Sequence, residues 1–123
     1  MAVIKIKEGT RDAFDDGWDR TYSLKLYKAT TPSADSVLTD FTEATATAGY
    51  SAKTLLWADA SISWDSGLGK YKAVWADQTW SSVSGLVATG WYIADSTKAF
   101  AAEAKTLGSD YTTLTISPSI ILG

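Results

Sequence analysis

The stretch Ile62-Ser63-Trp64-Asp65-Ser66-Gly67-Leu68-Gly69-Lys70-Tyr71-Lys72-Ala73-Val74-Trp75 reads as two short strands joined by a tight turn. Ile62 and Trp64 fall on one face before the turn, and Tyr71, Ala73 and Trp75 fall on one face after it, the period of two that a strand imposes. Asp65, Ser66, Gly67 and Gly69 supply residues that tolerate turn geometry. An antiparallel hairpin is therefore the local unit from which the rest of the chain is read.

Working outward, the same period recurs. Val3 to Lys7 alternates Ile4 and Ile6 against Lys5 and Lys7, and Tyr22, Leu24 and Leu26 alternate against Ser23, Lys25 and Tyr27. Thr45 to Ala48 is a weak strand candidate, and Lys53 to Trp57 is another short apolar run. On the carboxyl-terminal side, Gln78 to Ser82 carries Trp80, and Val87, Thr89, Trp91 and Ile93 form one face of a strand ending at Asp95. Gly90 within that strand predicts a bulge or the close approach of another backbone. Lys98 to Lys105 contains strong helix formers, yet a partner is needed for the Trp91 strand, and it is read as one. Thr112, Leu114 and Ile116 mark the last clear strand. Thr10 to Trp18 is open between a helical turn and an irregular loop. About eight short strands, with turn signals between them and no parallel alternation with helices, predict an all-β fold, an antiparallel β-sandwich or jelly-roll-like barrel. A single domain over residues 1–123 is expected, with an amino-terminal arm at Ala2 to Thr10 and an apolar carboxyl-terminal tail.

Composition narrows the chemistry. The 123 residues contain no cysteine and no histidine, which excludes disulfides, thiolate nucleophiles, imidazole metal ligands and Ser-His or Cys-His catalysis. Fourteen acidic and eleven basic residues give a net charge of −3. The basic ones are scattered, unlike the clustered stripe that replaces counterions on nucleic acid, so no nucleic-acid partner is expected. The opening MAVIKIKEG has lysines without an apolar run behind them, so neither a signal peptide nor a membrane span is expected.

Three constellations invite a site. Asp12, Asp15, Asp16 and Asp19 around Gly17 suggest a calcium loop, but the spacing departs from the EF-hand register and lacks its bidentate glutamate. Turn and helix-start carboxylates explain them better, and no metal is expected. Asp40 and Glu43 lie three apart in Asp-Phe-Thr-Glu and could form an acid–base pair of the glycosidase type. A loop-closing hydrogen-bond role is preferred, and no catalytic residue or cofactor is assigned. The six tryptophans, Trp18, Trp57, Trp64, Trp75, Trp80 and Trp91, could stack on sugars or anchor a subunit contact. Packing in the core accounts for most, with Trp18 and Trp57, beside turns, expected to be the more exposed. The tail Ile116-Ser117-Pro118-Ser119-Ile120-Ile121-Leu122-Gly123 is either a closing strand or a peg for a neighbouring subunit. The interface candidates are Ile4, Ile6, Trp18, Trp57, Ile120, Ile121 and Leu122.

One region carries a resemblance. Leu24 to Leu55, LKLYKATTPSADSVLTDFTEATATAGYSAKTL, resembles a group of short tailed-bacteriophage virion proteins. In these, a Leu-x-Leu-Tyr strand precedes a polar loop with Thr-Pro, a Leu-x-Asp-Phe-Thr-Glu-Ala knot and Gly-Tyr. Gln78-Thr79-Trp80 and Gly90-Trp91-Tyr92-Ile93-Ala94-Asp95 are similar to that group's aromatic strand pair, and Gly108 to Ile116 matches its ending loosely. The likeness runs from about Tyr22 to Pro118 and is specific in its first third; tryptophan stands where Gly-Tyr-Tyr is usual, and the ISPSIILG tail runs on. The resemblance implies a virion structural protein, a capsid decoration or cement protein on the outer capsid surface, synthesised in the host cytoplasm. It also implies the major capsid protein as partner and self-association, as a homotrimer at three-fold points of a shell. A tail or fibre domain binding host glycans is the alternative, and a small glycan-cleaving enzyme a further one.

Overall fold

The computed structural model describes residues 3–6 and 21–122. Thr10 to Trp18, the aspartates 12 to 19 and most of the expected arm lie outside the described residues. Among the described residues eleven strands follow one another: β1 Ile4–Lys5, β2 Thr21–Lys28, β3 Thr42–Glu43, β4 Lys53–Leu56, β5 Ser61–Asp65, β6 Lys70–Val74, β7 Gln78–Val83, β8 Gly90–Ala94, β9 Ala99–Ala104, β10 Tyr111–Ile116 and β11 Ser119–Ile121. Every pairing is antiparallel. The fold is all-β and sandwich-like; the sheets do not close into a barrel, which corrects the jelly-roll-like barrel alternative.

The larger sheet runs β1-β9-β8-β2-β3, with β4 also on β2. Two smaller sheets, β11-β6-β5 and β10-β7, pack on it. Alternation along β2 sends Tyr22, Leu24 and Leu26 to the side shared with Trp75, Trp80, Trp91, Phe100, Leu114, Ile116 and Ile120, which form the main core. An aromatic chain ties the layers together there. Phe100 meets Tyr22 edge-on at 4.9 Å, and Tyr22 meets Trp75 at 5.8 Å. The pairing of β8 with β9 slips between Ile93 and Ala94, and this bulge lets Phe100 and Ala101 both enter the main core. That pairing fixes Ala99–Ala104 as a strand against its helical propensity, because a central β8 offers an apolar, hydrogen-bonding neighbour on that side.

The opposite side of the large sheet is apolar as well. Tyr27, Tyr92, Ala94, Ala99 and Ala102 form a second core with Ile6 and Phe41. Phe41 stacks on Tyr92 at 4.6 Å and 12°, so the segment between β2 and β3 acts as a lid over this face. Consequently all five residues of β8 are buried. Gly90 has no room for a side chain: a Cβ there would collide with the Glu103 carbonyl oxygen and the Tyr27 phenol. The strand expected from Val87 begins only at Gly90; Val87 is exposed and forms an isolated bridge with Thr45. Thr45 to Ala48 likewise makes single bridges to Val87 and Ser84, without a continuous strand.

Candidate functional site

The acidic knot closes the outer edge of β2. The outer side of β2 is paired with β4 from Thr21 to Leu24 and with β3 at Tyr27 and Lys28. Between those partners the Leu26 N–H would be orphaned. Tyr50 fills the gap: its hydroxyl accepts from Leu26 N–H at 3.0 Å and donates to Glu43 Oε2 at 2.7 Å. Burial above all, reinforced by the Glu43 carboxylate, raises the Tyr50 pKa well above its ordinary value. The Asp40 carboxylate accepts from Val37 N–H at 2.8 Å, and its carbonyl accepts from the Thr30 hydroxyl at 2.9 Å. Asp40 and Glu43 are thus engaged in closing the loop. Tyr50→Phe leaves a backbone donor without its partner, and urea unfolding is expected to show a loss of about 1–3 kcal/mol.

Burial also resolves the tryptophans. Trp75, Trp80 and Trp91 are buried, and each indole N–H has an acceptor: the Leu56 carbonyl at 2.8 Å, the Ser51 carbonyl at 2.6 Å and the Glu103 carboxylate at 3.0 Å. Trp57 is half-buried against the main core, 6.4 Å from the Trp75 ring. The exposed one is Trp64, at 56%, and not Trp57 as expected; Trp18 lies outside the described residues. No row of exposed tryptophans exists among the described residues.

The interface candidates separate in the same way. Ile6, Ile120 and Ile121 are buried in the chain's own cores, so the tail is a closing strand and not a free peg: β11 pairs with β6 through Ser119–Val74, Ile120–Ala73 and Ile121–Lys72. Ile4 and Leu122 are half-buried beside those cores.

Most of the exposed large apolar side chains among the described residues lie on the hairpin. In the register of β5 with β6, Ile62 opposes Ala73 and Trp64 opposes Tyr71, and opposed residues of antiparallel strands share a face. That face is one apolar surface with two fates. Ala73, Trp75 and Ile120 are covered by the core, whereas Ile62, Trp64 and Tyr71 are 48%, 56% and 54% exposed. Trp64 and Tyr71 meet edge-on at 5.1 Å and 73°, which holds both rings in place.

The turn makes this platform firm. Asp65 Oδ1 accepts from Leu68 N–H at 3.0 Å, its carbonyl accepts from Gly69 N–H at 2.8 Å, and Lys72 pairs with Oδ2 at 3.1 Å. The Leu68 N–H first, and then Lys72, hold the Asp65 carboxyl below its ordinary pKa. Gly69 takes the left-handed conformation, φ 66°, that returns the chain into β6. Beneath the turn lies an open cavity of about 300 Å³, lined by Val3, Asp65, Leu68, Lys72, Ser119 and Ile121. It holds one paired lysine and one paired carboxylate and offers no convergent reactive groups.

Among the described residues, no three acidic side chains gather as a metal site would require, and no helix is long and apolar enough to cross a membrane. Comparison with family models, curated proteins and solved structures finds no match.

Proposed function

We propose that this chain is a bacteriophage virion structural protein that binds the major capsid protein from the outer surface of the shell as a decoration, or cement, protein. The observation that carries the reading is the pairing of two features. Carboxylates that could have been chemical are occupied in holding loops, and exposed large apolar side chains gather on a rigid hairpin. Such a surface suits contact with protein, since aromatic side chains held in place are favoured anchors. The resemblance of Leu24 to Leu55 to virion proteins supplies the particle. The structure gives that segment a physical role, in which Leu38 and Phe41 cover the second core. In this reading the protein has no catalytic residues, and its work is adhesion.

Sugar binding by a tail domain is the less favoured reading, because three tryptophans are spent on the core and Trp64 alone stands out among those described. The test is to band particles of the encoding phage on a density gradient, separate tailless capsids, and look for the chain by mass spectrometry and cryo-microscopy. The expected result is the chain on tailless capsids in regular copy number, with density on the shell. Its absence from shells, or its presence on tails alone, would sink the proposal.

A further inference from the structure

We infer that β5 is a self-pairing edge, through which two copies of this chain join their small sheets across a two-fold axis. The direction of the backbone groups leads there. Leu122 N–H donates to the Tyr71 carbonyl at 2.8 Å, and Trp75 N–H donates to the Pro118 carbonyl at 3.2 Å, so the odd-numbered residues of β6 address β11. Backbone groups alternate sides along a strand. Lys70, Lys72 and Val74 therefore address β5, where they oppose Asp65, Ser63 and Ser61. Ile62 and Trp64 are left with N–H and C=O directed away from β6, and among the described residues β5 ends its sheet. The edge thus offers two donors and two acceptors beside two exposed apolar side chains.

Edges of this kind are usually blunted by lysine, proline or a bulge. The sequence Ser-Ile-Ser-Trp-Asp of β5 has neither lysine nor proline, and its register runs without a shift. Read against itself in antiparallel sense, it is complementary. The register that pairs all five residues sets Ile62 of each copy opposite Trp64 of the second copy, as hydrogen-bonded pairs that use all four outward groups on each side. The only charge, Asp65, then faces the Ser61 hydroxyl of the second copy, not another carboxylate. Aromatic with β-branched is a favoured cross-strand pair. The exposed faces of the two hairpins merge into one. The apolar area is smaller than the ~800 Å² per partner of a standard interface, so the dimer is weak and concentration-dependent. This inference does not rest on the virion reading, since the pairing is a property of the free protein.

Ser63 sits on the two-fold axis, and that gives a sharp test. Non-hydrogen-bonded antiparallel neighbours have Cα atoms about 4.5 Å apart, within disulfide reach, and the chain has no other cysteine. Ser63→Cys is expected to oxidise to a covalent dimer at least tenfold faster than Ser66→Cys, whose position lies on the turn. Sedimentation equilibrium of the unaltered protein is expected to rise from 13.2 kDa toward twice that mass with concentration, while Trp64→Lys, checked for folding by circular dichroism, stays at the lower mass. A constant monomer mass over the whole series, a trimer unaffected by Trp64→Lys, or equal oxidation of the two cysteine variants would each overturn the inference.

Discussion

Gly90→Val is expected to leave the purified chain unfolded at room temperature, with no cooperative transition in urea. The Cβ has nowhere to go. On one side it meets the main-chain carbonyl of Glu103, which cannot move without parting β9 from β8, and on the other it meets the Tyr27 phenol. Overpacking of a well-filled core costs about 1–3 kcal/mol for a small added group, and a branched side chain against backbone belongs to the class above ~4 kcal/mol. Native domains have only about 5–15 kcal/mol to lose. Gly90→Ala is expected to remain folded with a lowered urea midpoint. Shortening the opposing ring, as Tyr27→Leu, is expected to recover part of that loss, because the Tyr27 half of the clash is removed and the Glu103 half stays. Strict additivity of the two changes would show that the glycine and the ring do not press on each other.

Trp75→Ala is expected to cost about 3–5 kcal/mol, as truncations of large buried aromatic residues do. The indole joins three things at once: the end of β6, the Tyr22 ring on the large sheet, and the Leu56 carbonyl that accepts its N–H. Removing it opens a cavity between the layers and takes the partner from that carbonyl. Trp75→Phe keeps the ring contact and loses the hydrogen bond, so a smaller drop is expected. Equal unfolding midpoints for the two variants would mean that the layers are not held together by the ring.

Much of this architecture was legible in the sequence, and the exceptions have a common cause. The hairpin of β5 and β6, the strands β2, β7 and β10, and the reading of Ala99–Ala104 as a strand follow from alternation and turn chemistry, which are local. Asp40 and Glu43 were legible as loop-closing groups because carboxylates in a polar loop accept from nearby donors; their partners, Val37 N–H and the Tyr50 hydroxyl, lie within seven residues. Exposure was not legible. Trp64 and Trp75 occupy the same strand face and the same pattern of neighbours, yet one is bare and the other buried, because the covering layer comes from Tyr22 and Phe100, far away in sequence. Trp57 was expected outside for lying near a turn, but that turn folds back onto the core. The tail was ambiguous for the same reason: whether Ile120 and Ile121 close a sheet or protrude depends on the free edge of β6, some fifty residues earlier. The second core was not legible, since Tyr27 and Tyr92 fall on the face of their strands opposite Leu26 and Trp91, and Phe41 lies in a stretch without a period.

The pairing of β11 with β6 bears on the order in which the protein folds. Ala73 and Trp75 cannot be sealed until Ser119–Ile121 reaches them, and the large sheet likewise waits for β9 before β1 and β8 have their neighbour. A chain in which β11 has not yet docked is therefore an open half-sandwich with the Trp75 side of β6 bare. The speed of folding is set by long-range strand closure. Docking of Ser119–Ile121, and not the formation of any one hairpin, is the step at which this molecule completes its core.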